Sequence, residues 1–600
     1  MEIRKNWFTY IYLTIFCICL SYSLFSGILY IGVNTKYPFI WYGGIIMAMG
    51  GLWLLANTCG FMFSHFIKFR SVNIRFESIL EAVFVVLVLS AAAAVRVWVI
   101  NYFPVQPESD FRTYFEVAKL LAQGTLIRDG VGYCDYISQF PHVFGYPYIL
   151  SKVFLLFGPS VTAGLYLNLA ASVISIFLAY RIARLICGKT GGLLALLLVA
   201  FWPSQILYVN QMASEPLFMC LTLTAVWITA YLFTNSIKSN STNVLILNIL
   251  LGIILALAGG VRPVVVILLI AIAICTLTYK AEENRNEKAG LIKSCMSRGW
   301  IRVTVILISY FICSQLVSGS TARAIDRELP GSTVSFGYNL LVGLNIDSKG
   351  SWNEKDARFL EEKFMENGSA EEAHRASRDE AFKRIINNPK GMANLIFEKY
   401  TLLWDNDDYA SYWNTLFLES QHNLTPERKA FITKLTTWNN IYYIICVYLS
   451  LISGVFLWFR KRVGLEHILI LYFIGTAMLH MILESQNRYH YSILPVFAIL
   501  ASAGLVDIFR YYIHKTELKI ESVIEKEEPT FEEMTSRGLT SEGTISEGVI
   551  SEEPEFSNCE EKVKDNRFDM LDAIKKGHIT VTVTEAYLRQ HENKNSDKND

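Results

Sequence analysis

The chain has 600 residues, of which 52% are hydrophobic, 13% are aromatic and 18% are charged, and its formal net charge is zero. A soluble domain of this size carries more charge and fewer long apolar runs, so the composition excludes the ordinary soluble globular class. The 11 cysteines are scattered, mostly inside apolar stretches, without the spacing of a metal site or a disulfide framework. We therefore expect a protein of the lipid bilayer, with no metal or other cofactor and no nucleic-acid partner.

Apolar stretches long enough to cross a bilayer, which takes about 20 residues, recur along the chain. Gly259-Gly260-Val261-Arg262-Pro263 divides the longest of them into two spans, because glycine and proline break helices. The first stretch is too long for a signal peptide and is taken as an uncleaved span. The predicted spans are 7–32, 39–63, 78–101, 160–186, 190–207, 215–234, 243–259, 262–279, 303–319, 437–459, 464–482 and 492–509. The fold class is thus an all-α polytopic membrane protein with about 12 transmembrane helices.

Basic residues indicate the orientation, because an excess of Lys and Arg marks the cytoplasmic side. Five basic segments lie on one face of this layout: Arg4/Lys5, Lys68/Arg70/Arg75, Arg181/Arg184/Lys189, Lys280 to Arg302, and Arg460/Lys461/Arg462. We therefore expect a multi-pass protein of the cell membrane with both termini in the cytoplasm. The predicted parts are two N-terminal spans (1–77), a transmembrane core (78–319) with a first outer loop (102–159), a large extracytoplasmic loop (320–436), C-terminal spans (437–510) and a tail (511–600).

The first outer loop contains two predicted helices that are too short to span. Asp110 to Leu121 has an apolar face and is followed by Gly124, a typical helix stop. Tyr146 to Phe157 is a second, largely apolar piece. Both patterns are typical of helices that lie along the membrane surface.

The tail differs in composition from the rest of the chain. Residues 511–560 contain 13 acidic and 4 basic residues, which cannot bury a core, so we expect disorder. A strand-like alternation at 578–584 is a candidate contact for a cytoplasmic partner.

Five motifs follow one another on the predicted outer face. They are Glu108-Ser109-Asp110, Phe140-Pro141-His142-Val143-Phe144-Gly145-Tyr146-Pro147, Met212-Ala213-Ser214-Glu215-Pro216, Gly260-Val261-Arg262-Pro263, and Glu484-Ser485-Gln486-Asn487-Arg488-Tyr489 with Pro495. Over residues 78–510 this arrangement resembles the GT-C superfamily of membrane glycosyltransferases. It is most similar to bacterial relatives of the protein O-mannosyltransferases (glycosyltransferase family 39) and to lipid A aminoarabinose transferases.

The chain departs from those families in three respects. Two spans precede the acidic loop where the family commonly has one, and Ser109 separates Glu108 from Asp110 where the eukaryotic mannosyltransferases carry an adjacent Asp-Glu pair. The aminoarabinose enzymes have a Lys in the second motif, where this chain reads Pro-His-Val-Phe. The resemblance therefore does not imply which sugar is transferred.

The resemblance implies a sugar donor linked to a polyprenyl phosphate and an acceptor hydroxyl that needs a general base. A carboxylate within hydrogen-bond reach supplies a rate factor of about 10²–10⁴. Asp110 is the candidate base and Glu108 the second choice. The alternative is that Asp110 only caps the helix that it begins, since Asp is favoured at that position.

Arg262 and Arg488 are the candidates for binding the donor phosphate, because guanidinium forms paired hydrogen bonds to phosphate oxygens. The alternatives are that they snorkel to the interface, or that Arg488 pairs with Glu484, four residues earlier. Both readings stay open from the sequence alone.

The remaining candidates have weaker signals. Glu215 begins a span and either contacts substrate or provides a helix start with Pro216. His142 lacks partners at ligand spacing and is expected to line the cavity and contact backbone. Tyr146 and Tyr489 are expected to line the cavity or to sit in the interfacial aromatic belt. Asn345 and Trp352 are candidates for facing the acceptor.

The resulting hypothesis is an inverting, metal-independent glycosyltransferase that acts on an extracytoplasmic protein, glycolipid or cell-wall polymer. A transporter of polysaccharide or lipid-linked sugar is the first alternative, but it calls for ionisable residues deep inside the spans. An O-antigen-type polymerase is the second alternative, and it would lack the early acidic loop.

Overall fold

The computed structural model describes residues 3–4, 7–33, 42–47, 49–51, 54, 58, 74–235, 241–278, 298–331, 334–460 and 462–527. The chain divides into two compact units, one formed by Met1–Gly50 and Val85–Asp507 and the other by Gly51–Phe84 and Ile508–Asp600. The described part is helical apart from one antiparallel pair of two-residue strands, β1 (Ile3–Arg4) and β2 (Arg462–Val463).

The helices follow the predicted order of spans and surface pieces. They are α1 (Trp7–Val33), α2 (Ile74–Tyr102), α3 (Ser109–Gln123), α4 (Leu126–Asp129), α5 (Val131–Gln139), α6 (Gly145–Phe157), α7 (Val161–Ala200), α8 (Pro203–Tyr208), α9 (Glu215–Asn235), α10 (Ser241–Val261), α11 (Val265–Thr278), α12 (Gly299–Ile325), α13 (Gly337–Gly343), α14 (Glu354–Asn367), α15 (Ala370–Asn387), α16 (Pro389–Trp404), α17 (Tyr409–Ser420), α18 (Pro426–Phe459), α19 (Glu466–Ile482) and α20 (Leu494–Glu527), with 3₁₀ turns at Pro141–Val143 and Asn487–Ile493.

Eight helices of the described part are long and apolar enough to cross a membrane. They are α1, α2, α7, α9, α10, α12, α18 and the stretch Asn487–Tyr511, while α11 and α19 are shorter apolar helices. The protein is therefore a multi-pass membrane protein. Most of the predicted span 39–63 lies outside the described residues, so the total of 12 stays a prediction.

Two predicted boundaries were wrong. The spans 160–186 and 190–207 meet, as predicted, at a kink within α7 at Gly188 (φ 83°), but the second of them ends at Ala200 and not at 207. This helix ends at Ala200 because Pro203 disfavours helical backbone at the residue before it and starts the short helix α8. At the C-terminus, α20 continues to Glu527, past the predicted end at 509. The rest of the predicted tail, including 578–584, lies outside the described residues.

The two strands bring distant basic segments together. Arg4 pairs with Arg462 in the antiparallel register of β1 and β2. Arg4 and Arg462 are therefore neighbours, as expected if the two basic segments share one face. That this face is cytoplasmic stays a prediction.

The first predicted surface helix forms where the apolar periodicity placed it. Phe111, Tyr114, Val117 and Ala118 of α3 are buried, and the helix ends at Gly124 in the left-handed region (φ 69°). The backbone N–H of Gly124 bonds to the carbonyl groups of the last turn, a common way to end a helix. The helix thus has one packed face and starts at the acidic motif.

The second surface helix packs tightly against the corner between α10 and α11. A Cβ atom at Gly145 would lie 2.2 Å from the backbone oxygen of Gly260 and 2.6 Å from its carbonyl carbon. Only glycine fits here, so this contact holds the corner that carries Arg262.

We expect Gly145→Ala to destabilise the protein by about 1–3 kcal/mol, because the added methyl group must displace backbone. The measurement is thermal unfolding in detergent. Gly319→Ala in α12 is the matched control, since its Cβ meets nothing within 4 Å. Equal stability of the two variants would contradict the tight contact.

Candidate active site

Four charged residues from distant parts of the chain meet in one cluster, which we name the charge cluster. Arg488 Nη2 donates a hydrogen bond to Asp110 Oδ2 at 2.8 Å, and Arg262 Nη2 donates one to Glu215 Oε1 at 2.5 Å. Arg488 Nε lies 4.0 Å from the same Glu215 oxygen, which joins the two pairs. The structure therefore brings together the candidate base, the two candidate phosphate ligands and the acid of the third motif.

The cluster is covered on one side and open on the other. The side chains of Glu215 and Arg488 are 3% and 10% exposed, whereas that of Asp110 is 40% exposed. The guanidinium carbon of Arg488 lies 5.4 Å from the centre of the Trp413 ring, and that of Arg262 lies 5.5 Å from the Tyr489 ring. Aromatic faces favour such cations and shield them from water. Asp110 is thus the member of the cluster that a molecule from solution can reach.

The local geometry shows that Asp110 is not the N-cap of helix α3. The N-cap residue of α3 is Glu108, and its side chain makes no capping hydrogen bond. Asp110 lies in the first helical turn, where a carboxylate complements the helix dipole, and its Oδ2 accepts from Arg488 instead. Ser109, between the two acids, adopts φ 52°, a conformation that costs free energy in a non-glycine residue and recurs at functional sites.

Glu108 is directed away from the charge cluster. Its Oε1 accepts hydrogen bonds from Ser420 Oγ at 2.8 Å and from Gln421 Nε2 at 2.6 Å. The side chain therefore ties the start of α3 to the end of α17. This placement leaves Asp110 as the acid of this motif that faces the arginines.

Glu484 does not form the ion pair with Arg488 that its spacing of four residues offered. Its Oε1 accepts from Gln486 Nε2 at 2.8 Å and from Tyr489 OH at 3.1 Å. Burial raises the pKa of the Glu484 carboxyl, and the positive charge of Arg488 opposes that rise. Residues 484–488 form an extended link and a 3₁₀ turn rather than an α-helix, so the expected helical spacing does not apply.

Tyr146, a predicted cavity residue, and Asn345, a candidate for facing the acceptor, are both buried. Tyr146 is fully buried, and its hydroxyl donates to Asn168 Oδ1 at 3.0 Å, so it belongs to the core and does not line an open cavity. Asn345 is also buried, and its Nδ2 donates to Asp356 Oδ2 at 2.9 Å within the large outer loop. The sequence predicts both Tyr146 and Asn345 as site residues, but in the structure their polar groups form hydrogen bonds inside the protein. Trp352 is 57% exposed.

His142 lies beside the charge cluster without a hydrogen-bond partner among the described residues. Burial lowers the pKa of its imidazole to about 4, and the positive charge of Arg262 contributes to the shift. The expected contact with backbone is thus not made through a hydrogen bond in the part of the chain that the structure describes. The same part contains no group of three His, Cys, Asp or Glu residues arranged to hold a metal ion.

Two neighbours of the arginines were not among the predicted site residues. Arg262 Nε donates to Ser214 Oγ at 3.2 Å, and Ser214 belongs to the motif that was chosen for Glu215. Trp413, which faces Arg488, lies in an aromatic-rich stretch of the large outer loop. Neither has a local signal that distinguishes it from other serines and tryptophans of the sequence.

Comparison with known proteins finds one family model that matches part of the chain. Residues 141–296 match the model of the family described as dolichyl-phosphate-mannose-protein mannosyltransferase. This match covers 156 of the 600 residues and confirms the resemblance to membrane glycosyltransferases that the motifs predicted. No curated protein matches the chain.

Three of the solved structures that are similar to this chain have low identity and TM-scores of 0.40 or less. The Archaeoglobus fulgidus oligosaccharyltransferase in complex with Zn and sulfate has 13% identity to this chain and a TM-score of 0.40. The match covers 76% of this chain and 54% of the oligosaccharyltransferase chain. The same organism's AglB, with an inhibitory peptide and a dolichol-phosphate, has 11% identity and a TM-score of 0.35, covering 83% and 55%. ArnT from Cupriavidus metallidurans, bound to undecaprenyl phosphate, has 10% identity and a TM-score of 0.29, covering 71% and 78%. The chain thus spans about half the length of the two archaeal structures.

The low pKa of His142 predicts a pH-dependent contribution to stability. Its folded pKa of about 4 lies below the ordinary value of 6.5, so the unfolded chain binds the extra proton between these values. The contribution is complete above pH 6.5 and is lost as pH falls toward 4. We expect His142→Asn to flatten this part of a plot of melting temperature against pH. His422→Asn, in the exposed outer loop, is the control, and an unchanged slope in His142→Asn would contradict the prediction.

Proposed function

We propose that the protein is an inverting, metal-independent glycosyltransferase that moves a sugar from a polyprenyl-phosphate donor to a hydroxyl group of an extracytoplasmic acceptor. The observation that carries the proposal is the charge cluster, in which an accessible carboxylate contacts one of two shielded arginines. Such a site offers a base for a nucleophile and fixed positive charge for a leaving phosphate.

In the proposed reaction Asp110 accepts the proton of the acceptor hydroxyl while that oxygen attacks the anomeric carbon. The bond from this carbon to the phosphate oxygen breaks, and its electron pair leaves with the polyprenyl phosphate. Attack occurs on the face opposite the leaving group, so the configuration inverts. A phosphate is already a competent leaving group, and it needs charge neutralisation more than a proton.

Arg488 and Arg262 are the proposed ligands of the donor phosphate. Fixed guanidinium groups in a shielded site stabilise developing negative charge without the reorganisation that water would require. Glu215 holds Arg262 through the 2.5 Å hydrogen bond and lies 4.0 Å from Arg488. Its proposed role is to orient the two arginines rather than to touch the acceptor.

A cavity next to α3, the helix that carries Asp110, is the proposed acceptor site. It has a volume of about 330 Å³ and is lined by Thr113, Asp129, Gly130, Gly132, Tyr133 and Tyr136. Thr113 follows Asp110 by three residues on α3 and so lies on the same side of the helix. Burial raises the pKa of Tyr136, and the charge of Asp110 raises it further, as expected for neighbouring groups.

The proposed setting is the outer face of the cell membrane, with both termini in the cytoplasm. The basic segments that predict this orientation include the two joined by β1 and β2. The proposed organisation keeps the five predicted parts of the chain, with a cytoplasmic partner for the tail.

The test is a transfer assay with the full chain in lipid vesicles. Undecaprenyl phosphate that carries a labelled hexose is supplied, and covalent label is measured in protein, glycolipid and cell-wall polymer fractions. Label that only crosses the bilayer, with no covalent product, would favour a transporter and overturn the proposal. Loss of activity with a chelator would contradict metal independence.

We expect Asp110→Asn to lower kcat by about 10²–10⁴-fold, because the amide cannot accept the acceptor proton. The donor KM should not rise, because the substitution removes a carboxylate that competes with the donor phosphate for Arg488. Asp135→Asn is the matched control: Asp135 lies in the same outer loop and pairs with Arg327 at 2.8 Å, outside the charge cluster. Full activity in a folded Asp110→Asn variant would contradict the proposal that Asp110 is the general base.

Tyr136→Ala is expected to raise the acceptor KM by roughly tenfold, since truncating a central aromatic contact costs about 1–2 kcal/mol of binding. The donor KM should stay the same, because Tyr136 is proposed to contact only the acceptor. Tyr148→Ala is the control, an exposed tyrosine of α6 that does not line the cavity. A rise in the donor KM alone would assign the cavity to the donor.

A further inference from the structure

The 3₁₀ turn that carries Arg488 is held at two points by adjacent residues of the large outer loop. Asn487 Nδ2 donates to Asn406 Oδ1 at 2.5 Å, and His490 Nε2 donates to Asp407 Oδ1 at 3.0 Å. The two contacts lie on either side of Arg488 in sequence. They join the turn to the link between α16 and α17.

Asp407 is the centre of a buried network. Its side chain is fully buried, and its Oδ2 accepts from Trp202 Nε1 and from Ser204 Oγ, both at 2.7 Å. Its backbone N–H donates to Asn440 Oδ1 at 2.8 Å, and its backbone oxygen accepts from Asn439 Nδ2. A carboxylate so far from water persists only when its oxygens are hydrogen-bonded in this way. Asp407 therefore connects α8, α18 and the Arg488 turn at one fixed point.

His490 is fixed in orientation as well as position. Its Nδ1 lies 2.6 Å from the carbonyl oxygen of Leu403, and its Nε2 faces the Asp407 carboxylate. Both ring nitrogens are therefore within hydrogen-bond distance of an oxygen atom. The ring is stacked between Trp404 and Tyr443, at 5.8 and 5.9 Å between ring centres. The two hydrogen bonds and the two stacked rings therefore fix the orientation of the imidazole.

We propose that Asp407 and His490 are positioning residues that set the place of the Arg488 guanidinium in the charge cluster. They touch neither the donor nor the acceptor, and they act through the short backbone link from His490 to Arg488. A 3₁₀ turn has poorer hydrogen-bond geometry than an α-helix and needs such external support. A shift of about 1 Å in a catalytic group can cost 10²-fold in rate. The inference rests on the proposed function, in which Arg488 holds the donor phosphate.

The experiment is a double-mutant cycle of Asp407→Asn with Arg488→Lys in the full chain, with donor KM, kcat and melting temperature as readouts. We expect Asp407→Asn to lower kcat/KM for the donor by at least about tenfold in the wild-type background. In the Arg488→Lys background it should lower kcat/KM by less than about twofold, because residues that act through one another are not additive. Equal losses in both backgrounds, or no loss at all, would overturn the proposal.

Asp507→Asn is the matched control, since Asp507 is a buried carboxylate that pairs with Arg460 far from the site. Asp507→Asn should lower the melting temperature and leave kcat/KM unchanged. This control distinguishes an effect on the position of Arg488 from a general loss of stability. If Asp407→Asn does not fold, Asn406→Ser removes the other contact to the turn, and the same non-additivity with Arg488→Lys is expected.

Binding of undecaprenyl phosphate distinguishes failure of this inference from failure of the proposed function. If the wild type transfers no label, the proposed function fails, but the binding cycle still tests the positioning role. The positioning role is supported if Asp407→Asn weakens binding of undecaprenyl phosphate in the wild-type background but has no effect in the Arg488→Lys background. Unchanged binding in Asp407→Asn contradicts the positioning role.

Discussion

The two arginines and two carboxylates of the charge cluster form the interaction on which the rest of the site depends. Their formal charges cancel, so the protein can keep Arg488 and Glu215 almost fully buried without an unpaired charge. Removing one partner would leave its neighbour buried and alone, which is far more costly than losing an exposed ion pair. The cluster thus constrains four separate chain segments to meet at one point.

The local structure of those segments places the charges. Asp110 and Glu215 each lie at the start of a helix, where the helix dipole favours a carboxylate. Arg262 lies on the corner between two apolar helices, and Arg488 lies in a 3₁₀ turn before the last span. Close packing then fixes their distances, as at Gly145, where the backbone of α6 touches the corner that carries Arg262.

In the proposed function, a donor phosphate has to displace a carboxylate when it binds to the cluster. In the described structure Arg488 already bonds to Asp110, and Arg262 already bonds to Glu215. A phosphate that binds either arginine competes with a carboxylate for the same guanidinium protons. Arrival of the donor at Arg488 would therefore weaken the hold on Asp110 and leave this carboxylate free for the acceptor hydroxyl. The more exposed position of Asp110 fits that division of roles.

The sequence by itself determined the membrane class, most span positions, the corner at 259–263, the stop at Gly124 and the set of motifs from which the site is built. These are local properties, since apolar length, periodicity and breaking residues act within one segment. Only the tertiary structure decided that Arg488 pairs with Asp110, 378 residues away, rather than with Glu484. It also decided that Tyr146 belongs to the core and that Asp407 supports the Arg488 turn. Ion pairs and burial arise from packing between distant segments, and no spacing along the chain records which segments meet.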